Sequence, residues 1–361
     1  MIKTKILFSA LFSLLLVPIS QAHAKTYTHI GEMKTVRAAY EDTLVHMARA
    51  NNLGFTDIRS ANPTLDPWIP GAGAEVIVPN MHLLPEAEQK GIVINLPEMR
   101  LYRFFKDGRT PVSYPIGIGR EGLETPQGLT KVTHKVAGPT WRPTERMREE
   151  DPTLPAVVPP GPDNPLGTHA LYLDFPLIRI HGTNKPYGIG RRTSSGCIRM
   201  YPESIIELYD QVPSGTQVNV INQEVKVQWI GNELYVEAHP SIENVTSMEK
   251  DGKIPASEPK EADIAYISRI AGDQVINLDW DEIRTILSER RGYPIQVAER
   301  GTKRTKVTPV TVTPAKEAVT QKTEVKPAIV KQKTVVKKES TTVKTVEPAE
   351  TQEREAFYRA N

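Results

Sequence analysis

Apolar and polar residues alternate through GIVINLPEMRLYRFF at residues 91–105 and again through TPVSYPIGIG at 110–119. That period of two predicts strands with one buried face. Lys106-Asp107-Gly108 between them supplies a hairpin turn. THALYLDF (168–175) and LIRIHGT (177–183) continue the β pattern, and TQVNVIN (216–222) restores it after a short helix. That helix opens at Pro202 and carries Ile205, Leu208 and Tyr209 on one side. Residues 90–222 are therefore expected to be mainly β, with one helix. The period changes to 3.6 on either side of this centre. Leu44, Met47, Ala48 and Asn51 mark a helix that Asp42 or Thr43 can cap and Gly54 can close. A second short helix runs from about Thr56 to Asn62-Pro63, where proline cannot continue it, and Glu75 to Val78 alternate as a strand ending at Pro79. Residues 25–80 thus predict a small α+β module ordered strand, helix, helix, strand. Residues 223–300 predict a smaller unit with a strand pair and a helix from about Asp279 to Arg291, ended by Gly292 and Pro294.

The two ends carry different information. Lys3 and Lys5 precede an apolar run at 6–17, and Ala22-His23-Ala24 is a small-x-small cleavage site. This predicts a secretory signal peptide over 1–24. The run is shorter than the roughly 20 apolar residues of a membrane span, so no transmembrane segment is expected after cleavage. Residues 301–361 hold thirteen Lys and Arg against seven Glu, which leaves +6 there and −4 on the rest of a chain whose net charge is +2. From Thr302 to Glu350 the tail is rich in Lys, Thr, Val and Pro and has no aromatic residue, so it is expected to be disordered. The basic character belongs to the tail, and no nucleic-acid partner is expected.

Export changes the meaning of the one cysteine. Cys197 has no partner for a disulfide, so it is either a buried, inert thiol or one kept for its reactivity. Its neighbourhood is HGTNKPYGIGRRTSSGCIRM, His181 to Met200. Acyl transfer by a thiol needs a base, exposure on a tight turn, and backbone N–H groups for the developing oxyanion. Gly196 allows the turn and frees the amides of Gly196 and Cys197 to point at one place. His181 can serve as base provided that the glycine-rich segment between them loops back.

These residues carry a resemblance. HGTN, GIG and SSGCIR together resemble the signature of the L,D-transpeptidase catalytic domain, and GIVINLPEMRLYRF, YPIGIG, TPQG and PAVVPPGPDNPLGTHALYL resemble the family's earlier segments. The likeness covers about residues 92–220. It implies a β-sandwich-like catalytic domain with Cys197 as nucleophile and His181 as its base. It also implies that Ser194 holds the motif's hydroxyl position, and that Arg199 stands near the substrate, where a guanidinium can clamp a peptide carboxylate. Ser195 departs from the many members that have histidine there, which leaves His181 as the one nearby imidazole. The implied substrate is peptidoglycan: the thiolate attacks the carbonyl before the terminal D-Ala of a stem tetrapeptide, and an amine takes the acyl group. An acceptor on another stem gives a 3→3 cross-link, a lysine of an outer-membrane protein or lipoprotein gives a tethered protein, and water gives carboxypeptidase activity. The family's known susceptibility to carbapenems comes with the resemblance. No cofactor or metal enters this chemistry, and the implied location is the periplasm.

The N-terminal module resembles a LysM domain through EDTLVHMARAN, IRSANP and WIPGAGAEVIVP. Glu41 replaces that pattern's turn glycine. The resemblance implies a glycan-binding anchor, separable from catalysis, whose removal should leave turnover of a soluble peptide intact. Two other readings stand beside the transpeptidase. His169, Asp174 and His181 offer ligands for a zinc peptidase, although no HExxH or CxxC spacing supports it. A peptidoglycan-binding scaffold with a dead catalytic domain fits the LysM-like module and the basic tail.

Overall fold

A computed structural model describes residues 26–251 and 253–301. The expected signal peptide and the expected disordered tail lie outside the described residues.

The N-terminal unit starts with β1 (His29–Ile30) and β2 (Met33–Arg37), followed by α1 (Leu44–Ala50), α2 (Phe55–Ala61), β3 (Glu75–Pro79) and β4 (His82–Leu83). Strand β2 pairs antiparallel with β3, and β1 with β4. Thr43 caps α1 by accepting from the His46 amide at 3.1 Å. The helix ends at Asn51, and Gly54 begins the next helix instead of closing this one. An amide donor explains the shift: Gly54 N–H binds the Asp57 carboxylate at 2.8 Å, which anchors the start of α2. Leu44, Leu53, Ile58, Val76 and Val78, all fully buried, form this unit's core.

The centre comprises β5 (Gly91–Asn95), β6 (Arg100–Phe104), β7 (Val112–Gly119), β8 (Gly128–Ala137), α3 (Glu145–Glu150), β9 (His169–Leu173), β10 (Arg179–His181), β11 (Arg192–Ser194), β12 (Ile198–Met200), α4 (Pro202–Gln211) and β13 (Gln217–Ile221). It is mainly β, as the alternation predicts. The strands form a hydrogen-bonded circuit in place of two separate layers. The cause is β7, whose first half pairs with β6 and whose second half pairs with β12 and β11, so the order β7-β12-β10-β9-β8-β13-β5-β6 returns to β7. Ile92, Leu101, Ile116, Ile180 and Ile198 fill its interior, with Ile205 and Leu208 of α4 against them.

The C-terminal unit has β14 (Val225–Ile230), β15 (Glu233–Ala238), α5 (Ile242–Asp251), α6 (Glu261–Ala271), α7 (Trp280–Glu289) and β16 (Ile295–Glu299). The expected strand pair is a three-stranded antiparallel sheet, because β16 adds to β15. Helix α7 lies within the expected span, with Asp279 as its N-cap.

The expectation of a separable N-terminal module is corrected here. The Asp57 carboxylate forms a buried ion pair with Arg100 of β6 at 2.8 Å, Tyr201 donates to the Leu53 carbonyl at 3.1 Å, and Arg49 pairs with Glu203. Removing the module would leave the Arg100 guanidinium, 1 % exposed, without its carboxylate. Three units also share one buried polar junction. Lys226 Nζ lies 2.9 Å from Glu98, 2.8 Å from Glu237 and 2.7 Å from the Leu83 carbonyl. His239 reaches Glu237 at 2.7 Å, and the Tyr102 hydroxyl donates to Glu98.

Candidate active site

Strands β10 and β12 lie side by side and parallel, with Ile180 opposite Ile198 and His181 opposite Arg199. Both isoleucines point into the core. Alternation then places Arg179, His181 and Arg199 on the other face, with Cys197 immediately ahead of β12. The fifteen residues that separate base and nucleophile in sequence are thereby closed by one strand pairing.

The turn that carries Cys197 is built from its own residues. Gly196 has φ +98°, a left-handed conformation in which a side chain would also press on Ile178 at 3.2 Å. The Ser194 hydroxyl donates to the Cys197 carbonyl at 2.5 Å, and Thr125 Oγ1 donates to the Gly196 carbonyl at 2.9 Å. Thr125 itself accepts from the Gly119 amide at 3.0 Å, which ties the turn to the end of β7. Ser194 is only 1 % exposed. Its hydroxyl, at the motif position that the resemblance assigns to it, braces the turn. Ser195 and Cys197 are half-buried, at the surface of the same turn. Thr125, within the TPQG segment, is the residue that spacing alone does not reveal.

The thiol points at the hairpin between β9 and β10, where Cys197 Sγ donates to the Leu177 carbonyl at 3.4 Å. His181 is buried, with Nδ1 2.5 Å from the Gly182 carbonyl. A nitrogen at that distance from a carbonyl must carry the proton, so Nε2 keeps the lone pair and is the basic atom. Burial lowers the His181 pKa to about 3, helped by the positive charge of Arg199 and, less, of Arg179, and opposed by the carbonyls of Gly182 and Leu166. The resting imidazole is therefore neutral. Arg199 is half-buried and donates to Thr193 Oγ1 at 3.2 Å, so it flanks both Cys197 and His181 without reaching far into solvent.

The segment joining base and nucleophile is held by both flanking units. Phe55 N–H donates to the Ile189 carbonyl at 3.1 Å, while Thr56 donates to the Gly190 carbonyl through N–H at 3.2 Å and Oγ1 at 2.6 Å. From the other side, Arg192 donates to Thr246 Oγ1 of α5 at 2.8 Å and to the Gly119 carbonyl at 3.2 Å.

The zinc alternative loses its geometry. Asp174 is exposed beside Lys131, and His169 bonds its neighbour Thr168, so neither joins His181. Among the described residues the group with metal-ligand proximity is His82, Glu98 and Glu237. The Lys226 ammonium sits against both carboxylates there, which supplies the cation the pair needs.

Residues 89–220 match the family model for the L,D-transpeptidase catalytic domain. The chain is similar to a probable L,D-transpeptidase, ErfK/SrfK of Salmonella typhimurium, at 37% identity over 74% of this chain and 87% of the relative. It is also similar to a probable L,D-transpeptidase, YbiS of Escherichia coli, at 36% identity over 82% of this chain and 99% of the relative. A solved structure, the NMR structure of the catalytic domain from E. faecium L,D-transpeptidase, is 25% identical over 38% of this chain and all of that chain, with a TM-score of 0.30.

Proposed function

The chain belongs to the L,D-transpeptidase family, and from that premise we propose that it acts on peptidoglycan stem tetrapeptides through a thioester on Cys197. The observation that carries this reading is the β10–β12 pairing, which brings His181 and the Cys197 turn to one face. Cys197 Sγ attacks the carbonyl carbon before the terminal D-Ala, and the thiol proton passes by way of His181 to the departing amine as the C–N bond breaks. The amides of Gly196 and Cys197 are the proposed donors to the oxyanion. An acceptor amine then attacks the thioester carbonyl, the C–S bond breaks, and the proton returns to sulfur. The product is a 3→3 cross-link when the acceptor is a second stem, or a tethered outer-membrane protein when it is a lysine. The N-terminal strand–helix–helix–strand unit is proposed to bind glycan, and the signal peptide to deliver the protein to the periplasm.

A carbapenem tests the catalytic part, because its strained carbonyl is an acyl donor that needs the same thiol and the same oxyanion site. Intact-mass measurement should show one adduct per chain, mapped to Cys197. An unmodified Cys197 peptide would overturn the thioester mechanism and favour the scaffold.

A further inference from the structure

Two arginines face the proposed nucleophile, and among the described residues neither has a carboxylate partner. Arg199 is half-buried and bonded to Thr193. Arg179 differs. It stands on β10 opposite Tyr172 of β9, and its guanidinium lies over the Tyr172 ring at 4.9 Å. That ring is stacked in turn on His134, with centroids 4.2 Å apart and planes 15° from parallel. The guanidinium thus sits over an aromatic stack of this sheet. Its one hydrogen bond among the described residues runs from Nη1 to the Leu177 carbonyl at 3.2 Å. Cys197 Sγ donates to that same oxygen at 3.4 Å, so guanidinium and sulfur stand within two hydrogen-bond lengths of each other. Nε is buried with no partner. The carbonyl they share belongs to Leu177, held at φ +63° with its side chain 69 % exposed at the hairpin tip.

An arginine so placed, next to the thiol and unmatched by any acid among the described residues, is built to meet an anion from outside. We infer that Arg179 is the specificity-determining residue that binds the free α-carboxylate of the residue leaving from the donor peptide. This rests on the stem-peptide reading above. The spacing suits it: the carbonyl carbon under attack lies about 3–3.5 Å from sulfur, and the leaving residue's carboxylate lies one residue, ~3.8 Å, further along the chain. That path ends where the guanidinium is held. Binding an anion there also offsets a positive charge that opposes protonation of His181, so the carboxylate that is recognised helps the base to accept the thiol proton. Arg199, which the resemblance places near the substrate, donates to Thr193 Oγ1.

The test compares two soluble donors that differ at one group: a tetrapeptide stem ending in a free carboxylate and the same peptide ending in a carboxamide. The readout is kcat/KM for formation of the Cys197 thioester, followed by intact mass. The full-length mature protein should prefer the acid by about 10- to 100-fold, the size of one charge-assisted bidentate contact. Arg179→Gln should bring that ratio close to 1, and Arg179→Lys, which keeps the charge but not the planar fork, should give an intermediate ratio. A ratio is insensitive to how much of a variant is folded. An acid-to-amide ratio near 1 in the unmodified protein, or one unchanged in Arg179→Gln, would overturn the inference. Failure of both peptides to form any thioester would instead overturn the stem-peptide reading on which it rests.

Discussion

Two groups of arginine and lysine side chains can be compared in this molecule. At the junction of the three units, Arg100 and Lys226 are sealed from water and every charge has an opposite partner. On the face of β10 and β12, Arg179 and Arg199 are half-exposed and no acidic residue pairs with them among the described residues. The first arrangement satisfies itself, which is how charge is used to fix a structure. The second is satisfied only by something that arrives, which is how charge is used to recognise. Burial and pairing together, more than residue type, separate the two uses.

The largest effect that can break the comparison is chemical. Cys197→Ala should abolish both turnover and covalent adduct, while His181→Ala should lower turnover by roughly 10²- to 10⁴-fold and still permit slow adduct formation, because a thiol keeps some thiolate without its base. Cys197→Ala should unfold at nearly the urea concentration of the parent, whereas His181→Ala, which empties a buried position, should unfold at a lower one. A variant of Cys197 that kept near-native transfer would remove the nucleophile from this face altogether.

The junction should respond in the opposite way, with stability lost ahead of chemistry. Lys226→Met leaves the Glu98 and Glu237 carboxylates buried without their ammonium, and about 3–5 kcal/mol of stability should disappear. Adding Glu98→Gln to that variant should recover part of the loss, since the two groups are in contact. Additive effects in a urea-unfolding cycle would show that the junction does not act as a unit.

Acid should act on both regions at once, and in one direction. His181 holds a pKa of about 3 against an ordinary 6.5, so below pH 6.5 the unfolded chain takes a proton that the fold refuses. Burial and the neighbouring Arg100 and Lys226 push His82 down in the same way. For Glu98 burial works upward but is outweighed by Lys226, His239 and Arg100, which bring it to about 2 from 4.5. Stability should therefore fall as pH drops from 6.5, and more steeply below 4.5, by about 1.4 kcal/mol per pH unit for each group in its window. Urea midpoints between pH 7 and pH 4 measure this. His181→Gln should reduce the slope by one group's share, and an unchanged slope would contradict the buried neutral imidazole.

What could be read in advance follows from these same distinctions. Period-two alternation revealed the strands of the centre, and Pro202 and Thr43 marked helix starts, because these signals are local. His181 and Cys197 stood out in the sequence because a lone thiol kept for reactivity needs a base and a turn, and the β10–β12 pairing brings the two to one face. The junction did not stand out, since Glu98, Lys226 and Glu237 are distant in sequence and each alone resembles a surface charge. Arg179 reads as an ordinary outward position of a strand until the β9–β10 hairpin places it beside sulfur. Helix α6 did carry a signal, with Ile264, Ile267 and Ala271 at helical spacing, whereas α3 buries no residue and so leaves none. Closure of the sheet depends on which strand pairs with which half of β7, and alternation says nothing about that.

Smaller effects test how the flanking unit meets the segment between base and nucleophile. Thr56→Val keeps the volume and removes the 2.6 Å bond to the Gly190 carbonyl. A loss of about 1 kcal/mol is expected, with Thr56→Ser close to the parent. If the contact also positions the segment, kcat on a soluble peptide, normalised to titrated thiol, should fall in Thr56→Val while KM changes little. Equal kcat per thiol would confine Thr56 to stability.

The smallest expected effect is at the same interface and depends on exposure. Arg49 meets Glu203 with two nearly equal bonds, Nε and Nη2 each at 3.0 Å, a geometry that in a buried site would make a strong pair. Yet the two side chains are 42 % and 55 % exposed. Water already solvates both charges in the separated state, salt screens what remains, and two long side chains lose rotamer freedom when they are held together. Arg49→Ala should therefore cost at most about 1 kcal/mol, and a double-mutant cycle with Glu203→Ala should show a coupling that shrinks as ionic strength rises. A salt-independent coupling of the size expected at Arg100 and Asp57 would mean that burial is not what separates the strong ion pairs of this protein from the weak ones.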